Sequence, residues 1–228
     1  MYGIFILAII GLLFTKFKLF SLSGFMKGVA QSRGYSYAKE APMSSVSGGL
    51  FEVGENRRIV SVISGRADGQ DIRAYYYNTA VGPQNAELRT YTILEYQYTY
   101  ELPHMLLTTR ALVADYVDDA APTFMGSKLL TLEGNFNEKF TLQVEEEFEI
   151  EALQIFTPDV MQELIDQKIP VQFETCENKL YLFQKKYITT TEGMSALFEL
   201  GALVNRILTP HFKETSDDVA DMKEVTTA

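Results

Sequence analysis

Arg57 to Tyr77 reads RRIVSVISGRADGQDIRAYYY. Arg58 to Ser64 is rich in Val and Ile, which suit a pleated backbone. Gly65, Asp68 and Gly69 then supply turn chemistry. From Ile72 to Asn78 the side chains alternate: Ile72, Ala74 and Tyr76 share one face, and Arg73, Tyr75 and Tyr77 share the other. The stretch predicts an antiparallel hairpin, and the chain after it extends the pattern. Gly82, Pro83 and Asn85 mark a loop. In Thr90 to Leu102, Tyr91, Ile93, Glu95 and Gln97 have one parity, and Thr92, Leu94, Tyr96, Tyr98 and Tyr100 the other. Pro103 interrupts this strand, and Met105 to Thr109 is expected to pair back.

The second half mixes element types. Leu112, Val113, Tyr116 and Val117 fit a short helix. Phe136 and Phe140, four apart, fit one helical turn pinned to a core. Phe140 to Val144 reads as a strand, and Glu149 to Phe156 as a short helix. Thr157-Pro158-Asp159 is a helix start, with Thr as N-cap and Pro at the first helical position. Val160, Met161, Leu164 and Ile165 form its apolar stripe. Val171 to Thr175 and Lys179 to Gln184 fit a hairpin around Glu177-Asn178. Met194, Leu197, Phe198, Leu200, Val204, Ile207 and Leu208 give a last helix its apolar face, and Thr209-Pro210 is expected to end it. The fold class is α+β, with antiparallel sheet packed against a few helices over residues 50–213. Residues 50–110 and 129–210 are possible subdomains. Residues 214–228 carry five acids and few large apolar groups, and are expected to be a disordered tail.

The N-terminus points elsewhere. Tyr2 to Phe14 is a run of thirteen uncharged residues, followed by Lys16, Phe17, Lys18, Leu19 and Phe20. With the two lysines snorkelling, residues 1–23 predict an N-terminal transmembrane helix, a single-pass anchor with 2–20 in the lipid bilayer. A signal peptide and a buried helix are the alternatives. Phe25, Met26, Val29 and Ala30 share a helical face, Gly34 fits its stop, and a Pro/Ser/Gly linker follows, so 24–49 reads as amphipathic helix and linker. Lys16, Lys18, Lys27 and Arg33 follow the apolar run before the first acid, Glu40. The positive-inside rule then places the domain on the cytoplasmic side of the cell membrane.

Composition narrows the function classes. The chain has 228 residues, 20 Lys and Arg against 30 Asp and Glu, and a net charge of −10. That sign excludes a general nucleic-acid binder. One cysteine cannot close an intrachain disulfide. No metal-ligand or nucleophile motif surrounds Cys176, His104 or His211. Asp115, Asp118 and Asp119 lack calcium-loop spacing. Ser47-Gly48-Gly49 lacks the Lys that completes a phosphate loop. No catalytic, cofactor-binding or metal residue is therefore assigned. Arg57, Arg58, Arg66 and Arg73 could form a small basic spot. Glu145, Glu146, Glu147, Glu149 and Glu151 form the densest acidic run, a solvated face or a docking surface for a basic protein partner. The tyrosines of the two strands fit sheet packing or an aromatic recognition face.

The Arg57–Tyr77 stretch resembles the opening of a family of uncharacterised bacterial membrane-associated proteins, a domain of unknown function. Leu132 to Phe140, with its F-x-x-x-F spacing, the Ile155 to Met161 segment with its TP-x-x-M start, and the hairpin carrying Tyr181, Leu182 and Phe183 resemble that family's second hallmark. The resemblance implies this architecture and membrane association over about residues 25 to 210, and no activity. The reading that follows is a membrane-tethered cytoplasmic interaction or structural module. The alternatives are a ligand-binding or sensory domain, or an unrecognised membrane-anchored enzyme.

Overall fold

Asp68 and Gly69 both take left-handed backbone, with φ of 53° and 81°. Paired positive φ matches the right-handed twist of the strands it joins. It closes β2 (Glu55–Ala67) onto β3 (Gln70–Val81). The computed structural model describes residues 22–82, 87–110, 126–167 and 172–227, with side chains as far as 216. β4 (Glu87–Gln97) continues the meander, and Tyr77 lies opposite Tyr91 and Arg73 opposite Glu95.

Beyond β4 the order departs from the chain order. The remaining strands are β5 (Met105–Thr109), β6 (Ser127–Leu130), β7 (Phe140–Glu145), β8 (Phe173–Cys176) and β9 (Lys179–Gln184). With β1 (Ser36–Ala41) they make one antiparallel nine-stranded sheet, ordered β1-β2-β3-β4-β9-β8-β5-β7-β6. The β8–β9 hairpin is therefore the seam that joins residues 50–110 to 129–210. β5 does not pair back on β4. It lies between β7 and β8, because Tyr98 and Leu102 donate backbone N–H bonds to Asn178 and Glu177 at the far turn and carry the chain across the sheet end.

Helices cover one face. α1 (22–33) stops as its sequence requires: Gly34 has φ of 69°, and the Gly34 and Tyr35 N–H groups donate to Gln31 and Ala30 carbonyls. The one-turn α3 (Phe136–Lys139) stacks Phe136 on Phe140, with centroids 4.9 Å apart. α4 (Glu149–Ile155) and α5 (Pro158–Ile165) follow, and the Thr157 side chain accepts the Val160 N–H at the start of α5. α6 (Thr191–Thr227) is longer than expected and carries Pro210 inside it. Pro210 and Arg206 are on the exposed side, where water can serve the carbonyl that proline leaves without a donor. Phe212 and Thr215 are buried and continue the packed stripe past the proline. The segment expected as a disordered tail is helix as far as Thr227.

The other face is covered by a strap, residues 42–53. It contains a 3-10 turn (Met43–Ser45) and the one-turn α2 (Gly49–Glu52). Leu50 and Phe51 pack on Tyr75, Tyr77, Tyr91, Tyr181 and Phe183. Tyr76, Tyr96 and Tyr98 lie in the helix-side core. The strand tyrosines are thus core residues of both faces, and the aromatic recognition face is corrected.

The N-terminal expectations also need correction. Residues 2–20 lie outside the described residues. Among the described residues, no helix is long and apolar enough to cross a membrane. Leu22, taken as the end of an anchor over 1–23, is buried in the domain core with Met26, Val29 and Ala30. Lys27 and Arg33, taken as topology signals, sit over the rings of Tyr37 and Phe198, at 5.2 and 4.0 Å. With these residues placed in the fold, the single-pass topology, the bilayer as partner and the cytoplasmic placement lose their support. In the 24–49 segment the amphipathic helix is present as α1, while the stretch read as a linker holds the edge strand β1 and part of the strap.

Candidate functional site

β8 alternates like any strand, so Glu174 points to the strap face between Leu106 and Tyr181. The strap closes over it, and the side chain is fully buried. A buried carboxylate requires donors, and the strap provides two: Gly49 N–H at 2.5 Å and Leu50 N–H at 2.9 Å. Gly48 permits this approach. Its φ is 109°, and a Cβ there would lie 2.7 Å from Glu174 Oε1. The Ser47-Gly48-Gly49 loop does cradle an anion, but the anion is the protein's own carboxylate.

The third partner of Glu174 is His104, whose Nε2 lies 3.0 Å from Oε1. Thr175 fixes the segment before β5: its hydroxyl donates to the Pro103 carbonyl at 2.5 Å, and the Met105 N–H donates to it at 3.2 Å. The other ring nitrogen, Nδ1, faces Glu145 Oε2 at 3.4 Å. Burial opposes charge on this ring, but hydrogen bonds with Cys176 and Glu174, reinforced by the charges of both, outweigh it and push the pKa up to about 10. The ring is therefore held in its charged form at neutral pH, between the carboxylates of Glu174 and Glu145 and the thiol of Cys176.

His104 forms part of the floor of a cleft of about 560 Å³ at this end of the sheet. Leu102, Pro103 and Phe148 supply apolar surface. Glu101, Glu145, Glu151 and Glu177 supply carboxylates, and Thr215 and Ser216 of α6 close one side. Cys176, the last residue of β8, is half-buried in the wall. Three other concavities lie among the described residues: one beside Tyr187 and Ile188, one between Glu133 and Met161, and one of about 670 Å³ between Asp68 and α6. None of them gathers a histidine and a cysteine as the cleft does.

The residues singled out in the sequence are distributed unevenly. His104 and Cys176 come together, although they are 72 positions apart. His211 is half-buried on α6. Asp115, Asp118, Asp119 and the helix expected around Val113 lie outside the described residues. The basic spot does not form: Arg57 donates to the Phe51 carbonyl, Arg66 to the Gly69 carbonyl, and Arg73 makes a two-pronged bond to buried Glu95. The acidic run is corrected as a uniform docking face. Glu146 and Glu147 are exposed, but Glu145 faces His104, Glu149 pairs with Lys128, and Glu151 enters the cleft. Sequence reading missed Glu174. The signal available was the Gly48-Gly49 pair, whose bare N–H groups need an acceptor.

Among the described residues, no group of three or more His, Cys, Asp and Glu could hold a metal ion. No family model matches the chain, and no curated protein does. One solved structure is similar in fold: the crystal structure of the mycobacterial trehalose monomycolate transport factor A, TtfA. The likeness covers 82% of this chain and 96% of that one, with a TM-score of 0.55 and 12% identity. At that identity the likeness is one of fold.

Proposed function

We propose that the chain is a ligand-binding domain that holds one small amphiphile in the cleft beside His104, by stoichiometric binding and without turnover. The observation that carries this is the cleft: its volume falls in the range of small-molecule sites, about 300–1,000 Å³, and it combines an apolar wall with a few fixed polar groups. The protein of similar fold is named for transport of trehalose monomycolate, and transport is a task of binding without turnover. The tethered cytoplasmic module is set aside together with the membrane helix on which it rested.

Cys176 provides the test, since it is the chain's single cysteine and lines the cleft. Iodoacetamide alkylation of Cys176 is timed with rising octyl glucoside. The expected result is saturable protection, at least 5-fold, that disappears in Ser216→Trp, where an indole fills the cleft mouth. Alkylation indifferent to the glucoside, or protection unchanged in Ser216→Trp, would overturn the proposal.

A further inference from the structure

The strap is fixed at both ends and latched in the middle. At one end Arg73 donates to the Ser45 carbonyl, and Lys179 donates to it from 3.4 Å. At the other, Thr79 Oγ1 donates to the Val53 carbonyl at 2.8 Å, and a Cβ on Gly54 would lie 2.3 Å from that hydroxyl oxygen. Between these ends the chain turns at Gly48. Phe51 lies edge-on to Tyr77 and Tyr181, with centroids 5.1 and 5.0 Å apart, and the Gly49 and Leu50 amides donate to Glu174. The seat is imperfect. Ser47 Oγ and Tyr77 Oη are shielded from solvent and have no hydrogen-bond partner among the described residues. Both are unfavourable while the strap is down, and water satisfies both when it lifts.

The latch is shared with the cleft. Glu174 Oε1 accepts the Gly49 N–H at 2.5 Å and faces His104 Nε2 at 3.0 Å. The same ring turns Nδ1 to Glu145 Oε2 at 3.4 Å. Glu174 is fully buried on the strap side, whereas the Glu145 side chain is 37% exposed and lines the cleft. One imidazolium thus clamps a strap-side carboxylate while a cleft-side carboxylate faces it from the other edge. When the ring leaves Glu174, a buried charge keeps two amide donors and no counter-charge, which is costly in the interior. Lifting Gly49 and Leu50 lets water reach it.

We infer that the segment between Ser45 and Val53 is a lid over the aromatic floor of Tyr77, Tyr181 and Phe183, and that the hold of His104 on Glu174 keeps it shut. What enters the cleft acts on the lid through that ring. A group that draws the imidazolium toward Glu145 opens the lid, and one that neutralises Glu145 tightens it. The natural trigger rests on the ligand-binding reading of the cleft; the coupling itself is tested without a ligand.

The experiment is native-state amide hydrogen exchange of the full chain, followed by NMR at neutral pH in low, sub-denaturing urea. In the wild type, Gly49, Leu50 and Phe51 are expected to exchange about 10-fold or more faster than Ile93 and Leu94 of the central strand β4, with little dependence on urea, the mark of a local opening. His104→Gln keeps a donor and removes the charge, and should speed the three strap amides by about 10-fold or more. Glu145→Gln leaves the ring to Glu174, and should hold strap exchange at or below the wild-type rate. Strap amides that exchange only together with β4, at its rate and urea dependence, would overturn the lid, a result read in the wild type even if His104→Gln does not fold. Strap exchange unmoved by His104→Gln, or accelerated by Glu145→Gln, would overturn the coupling. Protection of Cys176 by octyl glucoside plays no part in these rates, so the ligand-binding reading stands or fails separately.

Discussion

At the scale of the residue, Glu174 is the group on which the site depends. It is fully buried, it accepts from two strap amides, and it fixes the charge on His104. Glu174→Gln keeps the shape and removes the charge. The His104 pKa is raised when folded, from an ordinary 6.5 to about 10. A basic group with a raised folded pKa contributes its stability fully below about pH 6.5 and loses it as pH climbs through about 10. The wild-type urea midpoint is therefore expected to fall steadily between pH 7 and 10. In Glu174→Gln it should start lower and fall less, and the His104 ring titration followed by NMR should move down by a unit or more. An unchanged titration would contradict the clamp. The readout stops at pH 10, because the buried tyrosines have pKa values raised above 10 and destabilise the fold beyond it by ionising first in the unfolded chain. Glu174 was hidden in the sequence because Gln172 and Glu174 alternate with Val171 and Phe173 as on a solvent-facing strand side. That side meets the strap, and a strap contact 125 residues distant leaves no local pattern.

At the scale of the element, local signals were readable where local physics decides. Asp68-Gly69 dictated a hairpin, Thr157-Pro158 a helix start and Gly34 a helix stop, and each is found at its place. β1 escaped because it is an edge strand, exposed along most of its length, so no alternation marks it. The end of α6 was misplaced because Pro210 sits where solvent serves the orphaned carbonyl. The strap is the element that joins fold to site. Arg73 donates to the Ser45 carbonyl at 3.0 Å, the Ser47 N–H to Tyr181 Oη at 3.3 Å, and the Gly49 and Leu50 amides to Glu174. Gly48→Ala adds a methyl group both in left-handed backbone and against Glu174. It should destabilise the protein by about 2 kcal/mol or more, and it should lower the His104 pKa by displacing the carboxylate. A neutral effect in thermal melts would show that the strap is looser than described.

At the scale of the whole molecule, one sheet carries two cores, and the cleft opens where they meet at the end of β5, β7 and β8. The sheet order was not legible. Antiparallel strands have the same alternation whichever neighbour they take, and β9 selects β4 through contacts almost 90 residues apart. For the same reason the cleft could not be read from the sequence: its walls come from four separated segments, each ordinary alone. If the cleft is the ligand site, this end of the molecule, and no other concavity, receives the ligand. The deciding measurement is an amide NMR titration with octyl glucoside. Saturable shifts are expected at Leu102, His104, Phe148, Glu151, Cys176 and Ser216, with the signals beside Tyr187 and Ile188 and those between Asp68 and Arg206 unmoved. Shifts centred on either of those other concavities, or spread evenly over the surface, would contradict it.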